Sequence, residues 1–173
     1  KTVYTYAESG KLDTRQWART KDGNPLITDY GYNPATGELT QINYSDDETP
    51  DIGFTYDRLG RQKTVADGTG TRTFAYDDAL RLKSETIAGA DGMHSEIITR
   101  TYEDESGVKG RPSGFTLGGD VPVYVNNYGY DPATGELTLI DYSDDTPDIA
   151  FAYDRLGRQK SVTDAAGTRT FAD

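Results

Sequence analysis

The chain has 173 residues, a formal net charge of −11, 34% hydrophobic residues and no cysteine. The length fits one domain or a stretch of a repeat array. The low hydrophobic content, with no apolar run near the ~20 residues of a spanning helix, argues against a membrane protein. The charge disfavours nucleic acid, since like charges repel. The missing thiols exclude disulfides and thiolate metal sites and are compatible with export. No signal-peptide pattern is present.

Read in chain order, one short unit recurs: an aromatic-x-aromatic strand, a polar corner, a glycine, then a second polar strand. The units are YTYAESGKL from Tyr4, YGYNPATGEL from Tyr30, FTYDRLGRQ from Phe54 and FAYDDALRL from Phe74. They continue as TRTYEDESG from Thr99, YGYDPATGEL from Tyr128 and FAYDRLGRQ from Phe151. Their second aromatics, Tyr6, Tyr32, Tyr56, Tyr76, Tyr102, Tyr130 and Tyr153, are 20 to 28 residues apart. Period-two alternation before the corner is the pattern of a half-buried strand, so each unit is expected to be a β-hairpin. Asp57 opens a type I turn and Gly60 supplies the positive φ that closes it. Pro34 pre-sets φ in the longer corner Asn33-Pro34-Ala35-Thr36-Gly37, and Gly10, Gly135 and Gly157 take the matching place. Leu80 breaks this rule, so the corner after Tyr76 must turn differently or carry strain. The unit after Tyr102 spreads Gly107, Gly110, Pro112 and Gly114 over a longer loop. The stretch 79–90 is the nearest to helical, and its Thr and Ser content favours a strand.

A longer duplication overlies the short unit. Residues 30–75 recur as 128–172 once Glu48 is set aside, and nine of 45 aligned positions differ. Away from the turns the differences fall at 41, 43, 53, 55, 64 and 66, one parity within each strand and hence one face. The other parity carries Ile42, Tyr44, Ile52, Phe54, Tyr56 and Val65. That face is expected to be packed, with Ile52, Phe54, Tyr56, Ile149, Phe151 and Tyr153 buried and Thr55 and Ala152 not. Both ends fall inside the repeat pattern, from which the chain is expected to be a piece of a longer protein.

The run from Tyr56-Asp57-Arg58-Leu59-Gly60-Arg61 to Thr73-Phe74-Ala75-Tyr76-Asp77, and Tyr153-Asp154-Arg155-Leu156-Gly157-Arg158, resemble the YD or RHS repeat. That family includes bacterial RHS polymorphic toxins, wall-associated proteins, cocoon components of insecticidal toxin complexes, and teneurins. The resemblance implies a spiralling β-sheet shell around a toxin domain or an empty interior, and a secreted or cell-surface location. Asp131-Pro132-Ala133-Thr134-Gly135 looks superficially like the DPxG of self-cleaving cores in such proteins. Its twin at 33–37 identifies it as a repeat turn, so cleavage is not carried across.

No constellation argues for chemistry. Asp46, Asp47, Glu48 and Asp51, and Asp144, Asp145 and Asp148, have oxygen ligands at short spacing but match no calcium loop. Their recurrence in both copies fits a duplicated loop better than a glycosidase carboxylate pair. His94, the only histidine, stands in a Gly-rich loop with no nucleophile motif near it. Asp67-Gly68-Thr69-Gly70-Thr71 lacks the Lys-Ser/Thr and helix of a phosphate loop and reads as a turn. Tyr30, Tyr44, Tyr128, Tyr142 and Trp17 are candidates for stacking on sugars if one sheet face stays open.

The reading is therefore an all-β chain of tandem antiparallel hairpins in one large twisted, curved sheet, a single array over 1–173. A β-propeller is the alternative fold, but its blades need about 40 residues each. The expected role is a non-catalytic structural segment of a bacterial YD-repeat protein; the alternative is an adhesion module for carbohydrate or a cell surface. No catalytic, cofactor or metal residues are assigned. Partners are neighbouring repeats, an enclosed toxin domain or a surface glycan, and exposed sheet edges would favour edge-to-edge self-association.

Overall fold

A computed structural model describes residues 1–90, 93–103, 110–119 and 124–171. Gly107, the Asp91-Gly92 pair of the histidine loop and Ala172 at the end of the second copy lie outside them. The chain divides into two units, residues 1–75 with 86–95, and residues 76–85 with 96–173. No helix occurs among the described residues.

The first unit holds β1 (Val3–Tyr6), β2 (Leu12–Lys21), β3 (Asn24–Tyr32), β4 (Leu39–Tyr44), β5 (Ile52–Tyr56), β6 (Gln62–Asp67) and most of β7 (Gly70–Tyr76). The second holds the start of β8 (Leu82–Gly89), then β9 (Glu96–Tyr102), β10 (Pro112–Gly119) and β11 (Tyr124–Tyr130). It ends with β12 (Leu137–Tyr142), β13 (Ile149–Tyr153), β14 (Gln159–Asp164) and β15 (Gly167–Thr170). All strand pairing is antiparallel between chain neighbours, and the sheet order is chain order, β1 to β15. One open sheet in chain order replaces the separate blades that a propeller requires. The stretch 79–90 is strand, with β8 at its centre.

The duplicated face forms cross-strand rows. Tyr30 pairs with Ile42 and Ile42 with Ile52, as Tyr128 pairs with Ile140 and Ile140 with Ile149. Phe54 stands opposite Val65, and Phe151 opposite Val162. Such pairs contribute roughly 0.2–1 kcal/mol each over Ala–Ala. The other face carries hydroxyl rows: Thr55 pairs with Thr64 and Thr64 with Thr73, and the Thr55 and Thr64 hydroxyls are 2.6 Å apart.

The expected parity holds, and the expected degree of burial does not. Ile52, Phe54, Tyr56, Ile149, Phe151 and Tyr153 are half-buried, whereas Thr55 and Ala152 are exposed. Among the described residues no hydrophobic side chain is fully buried, and only Thr28 and Gly114 are. Alternation along a strand reports which face is packed, but it carries no information on how many layers cover that face.

Every corner with the aromatic signature follows an odd-numbered strand, so within each unit these corners lie at the same end of the strands. At Tyr56 the turn is tight: Gly60 N–H donates to Asp57 O at 3.1 Å, and Asp57 N–H donates to Arg61 O at 2.8 Å. Gly60 sits at φ 75°, the left-handed region that glycine enters without a Cβ penalty. The corner at 77–81 makes the same two bonds with Leu80 held at φ 67°. Of the two outcomes open for this corner, it keeps the turn and carries the strain. Leu80 is 58% exposed, so little packing offsets it.

This strain yields a first prediction. Replacing Leu80 by Gly raises stability by about 0.5–1 kcal/mol, relief of left-handed strain minus the glycine entropy cost. The reciprocal Gly60→Leu lowers it by about 1 kcal/mol or more. Urea denaturation measures both.

Candidate functional site: the stacked corners

In four of the seven corners a carboxylate ties the turn to the residue after the left-handed position. Asp57 Oδ1 accepts N–H bonds from Leu59 (2.8 Å) and Arg61 (3.0 Å), and Oδ2 accepts from Arg61 Nε at 2.7 Å. Asp77 holds Arg81 the same way, at 2.8 Å from its N–H and 2.6 Å from its Nε. Asp154 holds Arg158 at 3.0 and 2.6 Å. The Asp-x-x-x-Arg spacing therefore places a fork-shaped cation on a carboxylate across one turn. The irregular unit obeys the same rule with longer parts. Glu103 replaces Asp, Gly110 N–H donates to Glu103 O at 2.9 Å, and Arg111 Nη2 meets Glu103 Oε2 at 2.7 Å. The extra residues are inserted between the two halves of the clamp, which itself persists.

These bonds set the carboxyl acidities. Partial desolvation pushes the Asp57 carboxyl up, but the Arg61 side chain and the Arg61 and Leu59 N–H groups outweigh it and leave it below its ordinary value. Asp77 behaves alike, with desolvation overcome by the backbone and side-chain bonds of Arg81. At Asp154 the Arg158 N–H is the largest influence and lowers it directly.

Each corner also touches the next one in its unit. On six return strands one residue is passed over in the pairing: Asp13, Thr40, Lys63, Ser113, Thr138 and Lys160. This bulge sits beside the second aromatic of the motif and re-aims it. The phenols then reach the strand leaving the preceding corner. Tyr56 OH donates to Leu39 O at 2.8 Å, Tyr102 OH to Leu82 O at 2.8 Å, and Tyr130 OH to Pro112 O at 2.7 Å. All three acceptors occupy one place, the second residue after the corner's left-handed position. Burial pushes the Tyr130 phenol above its ordinary value, against the pull of the Arg111 charge.

The cations reach forward and join successive corners from the other side. The Arg81 guanidinium lies 4.3 Å from the Tyr102 ring centre, Arg111 lies 3.7 Å from Tyr130, and Lys11 Nζ 5.0 Å from Tyr32. Arg111 Nη1 donates to Gly135 O at 3.0 Å, and Lys11 Nζ donates to the equivalent Gly37 O. Phenol, cation and glycine carbonyl come together at the Tyr130 corner, and parts of the set recur at Tyr102, Tyr32 and Tyr56.

The residues weighed as sites go elsewhere. Asp51 and Asp148 accept the N–H of Tyr44 (2.9 Å) and Tyr142 (3.1 Å), capping a strand end. Asp46 accepts from the N–H and hydroxyl of Thr49, and Asp144 from the N–H of Thr146. Among the described residues no group of three His, Asp or Glu is placed to hold a metal. His94 is exposed. Asp67 accepts from the N–H and hydroxyl of Thr69 in the turn between β6 and β7. Asp131 Oδ1 accepts from the N–H groups of Ala133 and Thr134, matching Asn33 with Ala35 and Thr36. Tyr30, Tyr44, Tyr128, Tyr142 and Trp17 are half-buried. Trp17 Nε1 donates to Thr28 Oγ1 at 2.9 Å beneath the Arg15 guanidinium, 3.6 Å from its ring. Sequence reasoning missed the residue after each glycine; the recurring Gly-Arg pair was the available signal.

No family model matches the sequence, and no curated protein does. The structure matches solved chains of TcdB2-TccC3 at 16% identity, with a TM-score of 0.60 over 93% of this chain and 11% of that one. TcdB2-TccC3-Cdc42 gives a TM-score of 0.62 at 16% identity, covering 98% of this chain and 10% of that one. TcdB2-TccC3-TEV gives 0.58 at 16%, covering 92% and 11%. The present chain has the fold of the matched parts of these chains. It spans about a tenth of the length of the chains it matches.

Two outcomes follow from the joint. Tyr56→Phe, Tyr102→Phe and Tyr130→Phe each lower stability by about 1 kcal/mol, the worth of one hydrogen bond. Tyr6→Phe, at a residue 65% exposed, costs less than about half of that in the same urea titrations. Lowered Asp pKa values mean that the clamp contributes fully above the ordinary 3.8 and is lost as pH falls through the lowered folded values. Stability therefore falls on acidification below about pH 4. The triple change of Asp57, Asp77 and Asp154 to Asn makes that acid limb shallower in a thermal melt series, the remainder coming from Asp46, Asp67, Asp131, Asp144 and Asp164, whose carboxyls are also lowered.

Proposed function

We propose that this chain is a wall segment of a bacterial YD-repeat protein, a structural array without catalysis of its own. The observation that carries this reading is the joint between successive corners. It uses the aromatic, the carboxylate, the glycine and the cation of the motif for hairpin-to-hairpin attachment. A sheet that grows by one such joint per hairpin extends without a separate core, which suits the wall of an enclosure. The match to a fold that builds RHS/YD-repeat shells in TcdB2-TccC3 supports the same role. On this reading the neighbours are further repeats, the cargo is an enclosed toxin domain, and the parent protein is secreted or stands on the cell surface. The adhesion alternative has less support, because Trp17 is occupied by Arg15 and Thr28 and the candidate tyrosines are half-buried.

Limited proteolysis and electron microscopy of the natural parent protein test the proposal. The expected result is a hollow particle whose enclosed domain resists protease until the wall is denatured. A filled or extended particle with every domain equally cleavable would contradict it. Incubation of the chain with glycan and peptide substrates is expected to release no product.

A further inference from the structure

The ladder between β2 and β3 breaks at one place. Gln16 stands opposite Ile27 and Thr20 opposite Pro25, so Trp17, Ala18 and Arg19 share the single partner Leu26. The twin ladder between β10 and β11 runs unbroken from Gly114 with Asn127 to Leu117 with Tyr124, and Gly114 pairs with Asn127 as Thr14 pairs with Asp29. Phe115 and Leu117 thus hold the places of Arg15 and Trp17. A bulge re-aims the side chains it carries. Here Trp17 and Arg19 line a cavity of about 260 Å³ together with Leu26 and Tyr44, and its walls are mainly apolar.

Two arginines flank the same indole. The Arg15 guanidinium lies 3.6 Å from the Trp17 ring centre and that of Arg19 5.4 Å from it, so the two charges are at most 9.0 Å apart. Like charges at that separation repel. Other cations are matched: Arg61, Arg81, Arg111 and Arg158 hold corner carboxylates, and Arg169 and Lys21 hold Asp164 and Glu48. Among the described residues no carboxylate pairs with Arg15 or Arg19, and neither donates a hydrogen bond. Asp46, the one carboxylate in the cavity lining, is taken by the N–H and hydroxyl of Thr49.

The donors that a ligand would use are within its reach. Stacking on an indole occupies the face of a guanidinium and leaves its in-plane N–H groups for an anion. Arg15 Nε is enclosed, but it is the only Arg15 nitrogen so buried, which leaves the Nη pair open. Arg19 is exposed. Two unmatched charges suit a dianion with acceptors on several sides. A phosphate monoester carries about −1.5 to −2 at neutral pH and three acceptor oxygens. A carboxylate carries a single charge and is matched by one guanidinium fork.

We propose that Arg15 and Arg19 bind the phosphate of a small aromatic phosphate monoester, whose ring lodges against Leu26 and Tyr44 in the cavity. The inference does not rest on the wall role, since the bulge and its arginines occur at one of two equivalent ladders.

Trp17 is the only tryptophan, so its indole N–H gives a single NMR signal that reports this place. The test titrates the full chain at neutral pH and fixed ionic strength with phenyl phosphate, inorganic phosphate and benzoate. Phenyl phosphate is expected to move the indole signal saturably. Inorganic phosphate, which lacks the ring, and benzoate, which lacks the second charge, are expected to bind at least about tenfold more weakly. Arg19→Gln is expected to weaken phenyl phosphate by about tenfold or more. Arg58→Gln, which removes the same charge from an exposed corner of the same unit, is expected to leave it unchanged. The proposal is overturned if phenyl phosphate shows no saturation by about 10 mM. It is also overturned if inorganic phosphate or benzoate binds as tightly, if folded Arg19→Gln binds as the parent does, or if Arg58→Gln weakens binding as much as Arg19→Gln. Should Arg19→Gln fail to fold, the three probes on the unaltered chain decide the matter alone. A wall role without this site would leave the indole signal unmoved by all three.

Discussion

The phenols of Tyr56, Tyr102 and Tyr130 each donate to a backbone carbonyl on the strand leaving the preceding corner, and the rest of the architecture is arranged to let them do so. Among the described residues no hydrophobic side chain is fully buried. Hydrophobic burial, the usual source of most folding free energy, is here limited to half-buried rows on one parity of the strands. Attachment between successive hairpins must therefore come from ladder hydrogen bonds, those rows and the corner joints. The joint is the component that the motif residues specify most directly.

The remaining motif residues serve the same joint. The bulge beside the tyrosine sets the aim of its ring, and the left-handed residue closes the corner so that the following cation emerges beside the carboxylate. That cation then serves the next corner as well, as Arg81 and Arg111 do over Tyr102 and Tyr130. Because each joint uses residues from neighbouring hairpins only, stability is built from nearest-neighbour increments, as in other repeat arrays. Variation inside a corner is tolerated, and Ala7 closes the first corner with the same two backbone bonds and no carboxylate. Glu103 with Arg111 keeps the clamp across a longer loop, and Leu80 keeps it at the cost of left-handed strain.

Much of this was legible in the sequence. Period-two alternation identified the strands, and the Asp-to-Gly spacing identified the turns. The parity of differences between the two copies separated the packed face from the drifting one at Phe54, Thr55 and Tyr56. Three features were not legible. Burial was overestimated because alternation does not reveal whether a second layer covers a face. The clamp of Glu103 to Arg111 was hidden because a loop of different length displaced the glycine. The bond from Tyr102 OH to Leu82 O spans 20 positions and depends on a bulge that no local pattern announces. The acidic loops show the converse: their charge density suggested a ligand, yet Asp51 and Asp148 cap strand ends.

Native-state hydrogen exchange tests the primacy of the corner joint most directly. If the corners are the points of attachment, the amides of Arg61, Arg81 and Arg158, which donate to the clamp carboxylates, open only with the hairpins they join. They should then exchange at least about tenfold more slowly than the amides of Thr49, Thr69 and Ala166 in the opposite turns. Equal protection at the two ends of the strands, or greater protection in the opposite turns, would contradict the account.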